Sequence, residues 1–272
     1  MVTPLPSLAA RIRHHPRGAG RRLSEPAPTI AAMQASAAPR SPPAAAAWDG
    51  LRARCREGLP VPHPAPGRCR ACRGPARPGY VRCFQCELHA QSAPGLLADA
   101  VAPVAYAVKG SPLARDLWLY KAGRPGSGAA GSRLLLLLLA FLHDHGSRVW
   151  RQAGMAVPTH ACVVPSGRGR PGRHPLRALA GDCLALPWTE LGAAPGGDAW
   201  ARDLDPGRFR ARRPLTGAAV LLVDDTWTTG STAQSAAIAL KLAGARSVAA
   251  VVLGRHLRAA PPGAARPNRL DL

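Results

Sequence analysis

Residues 218–232 read Ala218-Ala219-Val220-Leu221-Leu222-Val223-Asp224-Asp225-Thr226-Trp227-Thr228-Thr229-Gly230-Ser231-Thr232, and this stretch decides the fold. Ala219 to Val223 is a short, branched apolar run with no polar alternation. That is the pattern of a strand buried on both faces in a parallel sheet. Two carboxylates follow at once, and then hydroxyl residues gathered around Gly230. From Ser231 the pattern turns helical and runs to Gly244, with Ser231 or Thr232 as the N-cap and Gly244 at the C′ position.

A loop between a strand and a helix N-terminus presents free backbone N–H groups and the positive end of the helix dipole, which suits a phosphate. Hydroxyls add donors, and a glycine lets the backbone approach closely. Carboxylates at the end of the strand can accept hydrogen bonds from a vicinal diol or hold hydrated Mg²⁺. A phosphate pocket beside a diol grip describes a ribose 5-phosphate site. A Walker B strand also ends in acids, but it needs a Gly-x-x-x-x-Gly-Lys-[Ser/Thr] partner, which this sequence lacks.

The run from Val220 to Thr232 resembles the phosphoribosyl pyrophosphate (PRPP) signature of type I phosphoribosyltransferases. The resemblance implies that Asp224 and Asp225 bind the ribose hydroxyls. It also implies that Thr226, Thr228, Thr229, Gly230, Ser231 and Thr232 surround the 5-phosphate, with Mg²⁺ accompanying PRPP.

Composition sets the wider frame. The chain has 272 residues, 47% hydrophobic, with a formal net charge of +21. That is enough for one ordinary domain with appendages, and the charge favours anionic partners. Heavy use of Arg, Ala, Pro and Gly is also what a GC-rich genome produces, so part of the charge is compositional. Aromatic residues are 4% of the chain, which gives little support to a base-stacking platform. No segment reaches the ~20 apolar residues of a membrane span, and the expected location is cytoplasmic. Residues 1–54 are Ala-, Pro- and Arg-rich with little periodicity, and read as a disordered basic tail. Met33 is an alternative start that would leave the first 32 residues untranslated.

Residues 55–95 form a second unit. Cys69 and Cys72 make one Cys-x-x-Cys pair and Cys83 and Cys86 another, separated by a spacer containing Gly74, Pro75, Pro78 and Gly79. Each pair is a zinc half-site, and together they complete a closed structural Zn²⁺ shell with no position left for chemistry. Disulfides are the alternative in an oxidising compartment. A zinc deaminase would need a nearby His-x-Glu, which is absent. Cys55 stands outside the pairs, and His63 and His89 read as surface residues. Arg68, Arg70, Arg73, Arg77 and Arg82 balance the negative metal centre or touch phosphates.

Residues 96–258 read as an α/β domain. Val101 to Val108 is a strand that Pro103 confines to an edge or a strand start. Leu113 to Ala122 and Arg133 to His143 read as helices, the second ending at His143 and His145. Ala161 to Val164 is a strand leading to a Pro-Ser-Gly turn and a basic run, followed by a helix from Pro175 to Leu186. Such a strand–loop–helix unit can hold a second phosphate. The resemblance places pyrophosphate at Ser166, Gly167 and Arg168. Cys162 and Cys183 read as core residues. Asp203, Arg208 and Arg210 read as part of a mobile segment that closes over substrate. Ser247 to Gly254 is a final parallel strand, and residues 259–272 are a C-terminal tail.

The order of these parts is similar to the ComF family of competence-associated, phosphoribosyltransferase-like proteins. The paired Cys-x-x-Cys motifs, the Tyr…Lys-x-Gly segment from Tyr106 to Gly123, the Val-Pro-Ser turn and the PRPP signature follow in sequence. The departure is Arg170-Pro-Gly-Arg-His-Pro-Leu-Arg177, where the family has Arg-Gly-Phe-Asn after its Pro loop. The resemblance implies a type I phosphoribosyltransferase-like parallel sheet with helices on both faces, preceded by a Cys₄ zinc knuckle. It also implies a phosphoribosyltransferase that takes PRPP or another phosphorylated ribose ligand, its acceptor unassigned. The alternative is a non-catalytic competence or DNA-uptake accessory protein that uses the knuckle and the basic surface to bind DNA or the DNA-uptake machinery. Trp227 within the signature would stack on a ligand or cover the loop.

Overall fold

The computed structural model describes residues 62, 64–122, 126–165, 174–181, 183–194 and 203–257. The expected tails, 1–54 and 259–272, lie outside the described residues, as do Cys55, His63 and the loop residues Ser166, Gly167 and Arg168. Along the described chain the elements are α1 (Phe84–Ser92), β1 (Ala100–Val108), α2 (Pro112–Ala122), α3 (Ser127–Gln152), β2 (His160–Val163), α4 (Pro175–Ala180), β3 (Leu191–Ala193), β4 (Phe209–Ala211), β5 (Ala219–Trp227), α5 (Ser231–Leu242) and β6 (Ser247–Leu257).

The apolar run 219–223 does form a buried central strand. β1, β6, β5 and β2 make one all-parallel sheet in that order, and β3 and β4 form a separate antiparallel hairpin. β1 is an edge strand, which accommodates Pro103 at its pairing with Val252. Both faces of the sheet are covered. Leu221, Val223, Val251 and Leu253 pack against Leu113 and Leu117 of α2, Leu134 and Leu138 of α3, and Leu176 of α4. Val220, Leu222, Val248 and Val252 face the other way, towards Ala233, Ala236, Ala237 and Leu240 of α5. Phe209 of β4 and three cysteines of the knuckle join this second layer. This is the expected parallel sheet with helices on both faces and a cysteine cluster before it.

Four local expectations need correction. β5 does not stop at Val223 but runs to Trp227, because its ladder with β6 continues through Asp224↔Val252, Thr226↔Gly254 and Trp227↔Arg255. The helix expected at 133–143 is the middle of α3, whose buried stripe continues to Val149 and Trp150. His143 and His145 are therefore interior to a helix and do not cap its C-terminus. The helix expected at 175–186 ends at Ala180. At the start of α5 the N-cap is Gly230, in the left-handed region, and not Ser231 or Thr232.

Asp99 ties the amino end of β1 to the opposite layer. Its carboxylate accepts from Val248 N–H at 2.7 Å and from Lys241 Nζ at 2.9 Å on one oxygen and 2.7 Å on the other. No helix among the described residues is long and apolar enough to cross a membrane.

Candidate functional site

The carboxyl end of β5 carries the site. Asp224 and Asp225 complete the strand, Thr228 and Thr229 leave it, and Gly230 turns the chain into α5 at φ 85°. A side chain at 230 would collide with the Trp227 indole, since a Cβ there would lie 2.0 Å from it. Trp227 is 1% exposed and forms the floor of the turn, so it covers the loop and does not present a face to a ligand. α5 begins with no side-chain cap hydrogen bond. The Thr229 and Ser231 hydroxyls are 3.0 Å apart, and Thr229 Oγ1 accepts from Ser231 N–H at 3.4 Å. The structure thus brings Asp224, Asp225, Thr226, Thr228, Thr229, Gly230, Ser231 and Thr232 together in one strand–turn–helix unit.

The two acids have different surroundings. Asp225 is buried, and its carboxylate accepts from the Tyr120 hydroxyl and from Lys121 Nζ at 2.7 Å, both at the end of α2. Asp224 is half-buried. Burial, and then the neighbouring Asp225 charge, push its carboxyl up to about 7, against the pull of Lys121 and the backbone N–H groups of Asp225 and Thr226. Near neutrality Asp224 therefore shifts between a neutral acid and a carboxylate. As a carboxylate it offers the hard oxygen donors that suit a ribose diol or hydrated Mg²⁺.

Arg208 differs from its expectation. It is 1% exposed, and its guanidinium donates to Thr232 Oγ1 at 3.2 Å and to the Asp203 carbonyl at 2.8 Å. It is a fixed cation beside the loop and not part of a mobile cover. Arg210 sits exposed in β4. The sequence reading also left Tyr120 and Lys121 outside the site; the Lys-x-Gly segment was the available signal, but it carried no role. Ser166, Gly167 and Arg168 lie outside the described residues. Burial pushes the Cys162 thiol up to about 12, which fits its reading as a core residue.

In the knuckle, the sulfurs of Cys69, Cys72, Cys83 and Cys86 all lie within 4.8 Å of one another, with Cys72 and Cys83 at 3.8 Å. A tetrahedral Zn–S₄ shell with arms of about 2.3 Å requires sulfurs about 3.8 Å apart, so this donor set fits zinc. Hydrogen bonds from Cys72, Cys83 and Cys86 hold the Cys69 sulfur well below the ordinary thiol range. A central cation is what allows four clustered sulfurs to ionise together. His89 is not a surface residue: it is 1% exposed, Nδ1 has no partner among the described residues, and burial lowers its pKa.

No family model matches the chain, and none of the curated proteins matches it. Among solved structures it is similar to a purine phosphoribosyltransferase from Pyrococcus horikoshii, at 14% identity and a TM-score of 0.30, covering 53% of this chain and 94% of that one. A hypoxanthine phosphoribosyltransferase from Staphylococcus aureus is similar at 13% identity and a TM-score of 0.27, covering 42% and 69%. A phosphoribosylpyrophosphate synthetase from Mycobacterium smegmatis is similar at 17% identity and a TM-score of 0.28, covering 63% of this chain and 58% of the synthetase.

Two measurements follow from this geometry. With an unfolded value near 3.9 and a folded value near 7, Asp224 keeps a proton in the folded state that the unfolded chain releases. Its contribution to stability is therefore greatest below about pH 4 and is lost as pH rises through 7. Asp224→Asn removes that slope, so the wild-type melting temperature should fall relative to the variant between pH 5 and 8, measured by calorimetry. A constant difference would show that Asp224 does not titrate there. Elemental analysis should find about one zinc per chain, lost in Cys72→Ser. Full metal content in that variant would exclude Cys72 as a ligand.

Proposed function

We propose that the chain is a phosphoribosyltransferase-like protein that binds PRPP, or a related ribose 5-phosphate ligand, with Mg²⁺, and transfers the phosphoribosyl group to an acceptor. The observation that supports this most is the position of both acids at the end of the central strand, directly before a hydroxyl-rich turn and the N-terminus of α5, whose cap residue is Gly230. In this reading the Asp224 carboxylate accepts hydrogen bonds from the ribose hydroxyls. Asp225 is the second acid, fixed in orientation beside it by Tyr120 and Lys121. The hydroxyls of Thr228, Thr229 and Ser231, with the first amides of α5, donate to the 5-phosphate. Ser166, Gly167 and Arg168 take the pyrophosphate. Mg²⁺ supplies neutralising charge to the pyrophosphate oxygens. In the transfer, the bond from ribose C1 to the pyrophosphate oxygen breaks, an acceptor lone pair forms the new bond to C1, and pyrophosphate leaves with the bonding electrons. Fixed charges facing the separating centres are the means of stabilisation this site offers. The cysteine knuckle carries structural Zn²⁺.

A second reading is supported by the outer face of the knuckle. Tyr80 and Phe84 are 66% and 77% exposed, and the exposed Arg70, Arg77 and Arg82 belong to the same small unit. Aromatic faces beside cations suit single-stranded nucleic acid, despite the low aromatic content of the chain as a whole. In this reading the protein is a non-catalytic DNA-handling accessory, and the ribose-phosphate pocket is a ligand sensor.

Calorimetric titration of PRPP with Mg²⁺ into zinc-loaded protein tests the first reading. Micromolar binding, lost in Asp224→Ala/Asp225→Ala, is the expected result; a folded wild type that binds no PRPP ends it. For the second, fluorescence anisotropy with a labelled single-stranded oligonucleotide should show salt-sensitive binding, weakened about ten-fold in Phe84→Ala. Equal affinity of variant and wild type would dismiss the stacking role.

A further inference from the structure

We infer that the cysteine knuckle holds the anion loop in its binding geometry, and that Arg255 is the positioning residue that carries this hold. The link to ribose-phosphate binding rests on the function proposed above; the mechanical part does not.

Arg255 lies on β6, and in the ladder its neighbours are Tyr106 of β1 and Trp227 of β5. It is a buried cation near the carboxyl end of an inner strand, so its donors need acceptors. Its Nη1 donates to the carbonyls of Trp227 at 3.1 Å, Thr228 at 3.0 Å and His256 at 2.7 Å. The first two are the carbonyls through which the chain enters the anion loop. Each carbonyl shares a rigid plane with the next residue's N–H, and in a trans peptide the two point in opposite directions. Turning the Trp227 and Thr228 carbonyls onto the guanidinium therefore turns the Thr228 and Thr229 N–H groups away from it. Arg255 thus sets the orientation of two donors in the loop.

The knuckle holds Arg255 from the other side. A Cβ on Gly74 would lie 2.4 Å from Arg255 Nη2, so the guanidinium rests directly against the bare Gly74 α-carbon. The turn that places Gly74 is closed by Cys69 N–H donating to the Gly74 carbonyl at 2.8 Å and Arg73 N–H donating to the Cys69 carbonyl at 2.9 Å. The same turn is fastened to β1, where the Tyr106 hydroxyl donates to the Arg73 carbonyl at 2.6 Å and the Arg68 guanidinium covers the Tyr106 ring at 5.3 Å. Cys69 and Cys72 belong to this turn, so a metal that binds them fixes the surface against which Arg255 rests. A closed metal shell with no chemistry of its own then controls the shape of the loop across the sheet.

Two variants separate this hold from general stability. Gly74→Ala displaces the flexible end of Arg255 while keeping the arginine and all four cysteines. Arg255→Lys keeps the charge but lacks the planar fork. Peptide-resolved hydrogen exchange over 227–231, zinc content and calorimetric affinity for ribose 5-phosphate are measured on full-length protein. With zinc retained, both variants should exchange the loop amides faster and bind ribose 5-phosphate about ten-fold more weakly. Chelation should loosen the loop of wild type and add little in Arg255→Lys. Wild-type exchange rates in both zinc-loaded variants would overturn the inference, and so would chelation that loosens Arg255→Lys as much as wild type. If Gly74→Ala loses its zinc, Arg255→Lys alone decides. A wild type that shows the exchange pattern yet binds neither ribose 5-phosphate nor PRPP with Mg²⁺ would remove the proposed function and leave the hold standing.

Discussion

β5 and β6 remain paired in one register from Ala219↔Ser247 to Trp227↔Arg255, and the rest of the molecule depends on the length of that ladder. A strand that ended with its apolar run would leave Asp224 and Asp225 in a loose loop, free to reorient. Continued pairing fixes both acids on the sheet and delivers the chain to Gly230 at a defined height. Trp227 then fills the space beneath the turn, where only a glycine leaves it room. The loop is therefore shaped from below by an indole, from behind by a guanidinium and from the side by the buried cation of Arg208. These are packed contacts, so the geometry of the turn is built into the fold.

The electrostatics of the acid pair follow from its asymmetry. Two adjacent carboxylates repel, and a buried pair keeps both charges only with compensation. Tyr120 and Lys121 bond directly to Asp225, and Lys121 pulls on Asp224 only through space. Asp224 bears the remaining repulsion together with its own burial. A cation placed beside Asp224 would relieve that repulsion.

The sequence made some of this legible and not the rest, for physical reasons. The central strand was readable because Ala219 to Val223 lacks alternation, which only burial on both faces explains. Its extension to Trp227 was not, because Asp and Thr interrupt an apolar pattern and what sustains the strand is a partner distant in sequence. The cysteine cluster was readable because each half-site is local. The grip on Asp225 was not, since Tyr120 and Lys121 lie 105 and 104 positions away. Arg208 read as a mobile surface cation because nothing local hints that Thr232 and the Asp203 carbonyl would satisfy it in the interior. His89 misled in the same way: a polar residue on a short helix reads as exposed until the element covering it is known.

The knuckle comes early in the chain, yet it docks on the last of the described strands. Among the described residues β1 has no sheet partner other than β6, and Asp99 bonds to Val248, 149 positions later. During synthesis at 5–20 residues per second, the first strand waits on the order of ten seconds for its neighbour to emerge. Over that interval β1 is an apolar strand with both edges open. The sheet closes only when its final strand slides between β1 and β5. A chain truncated before Arg255 would lack the end of that seam and the donor to the Trp227 and Thr228 carbonyls.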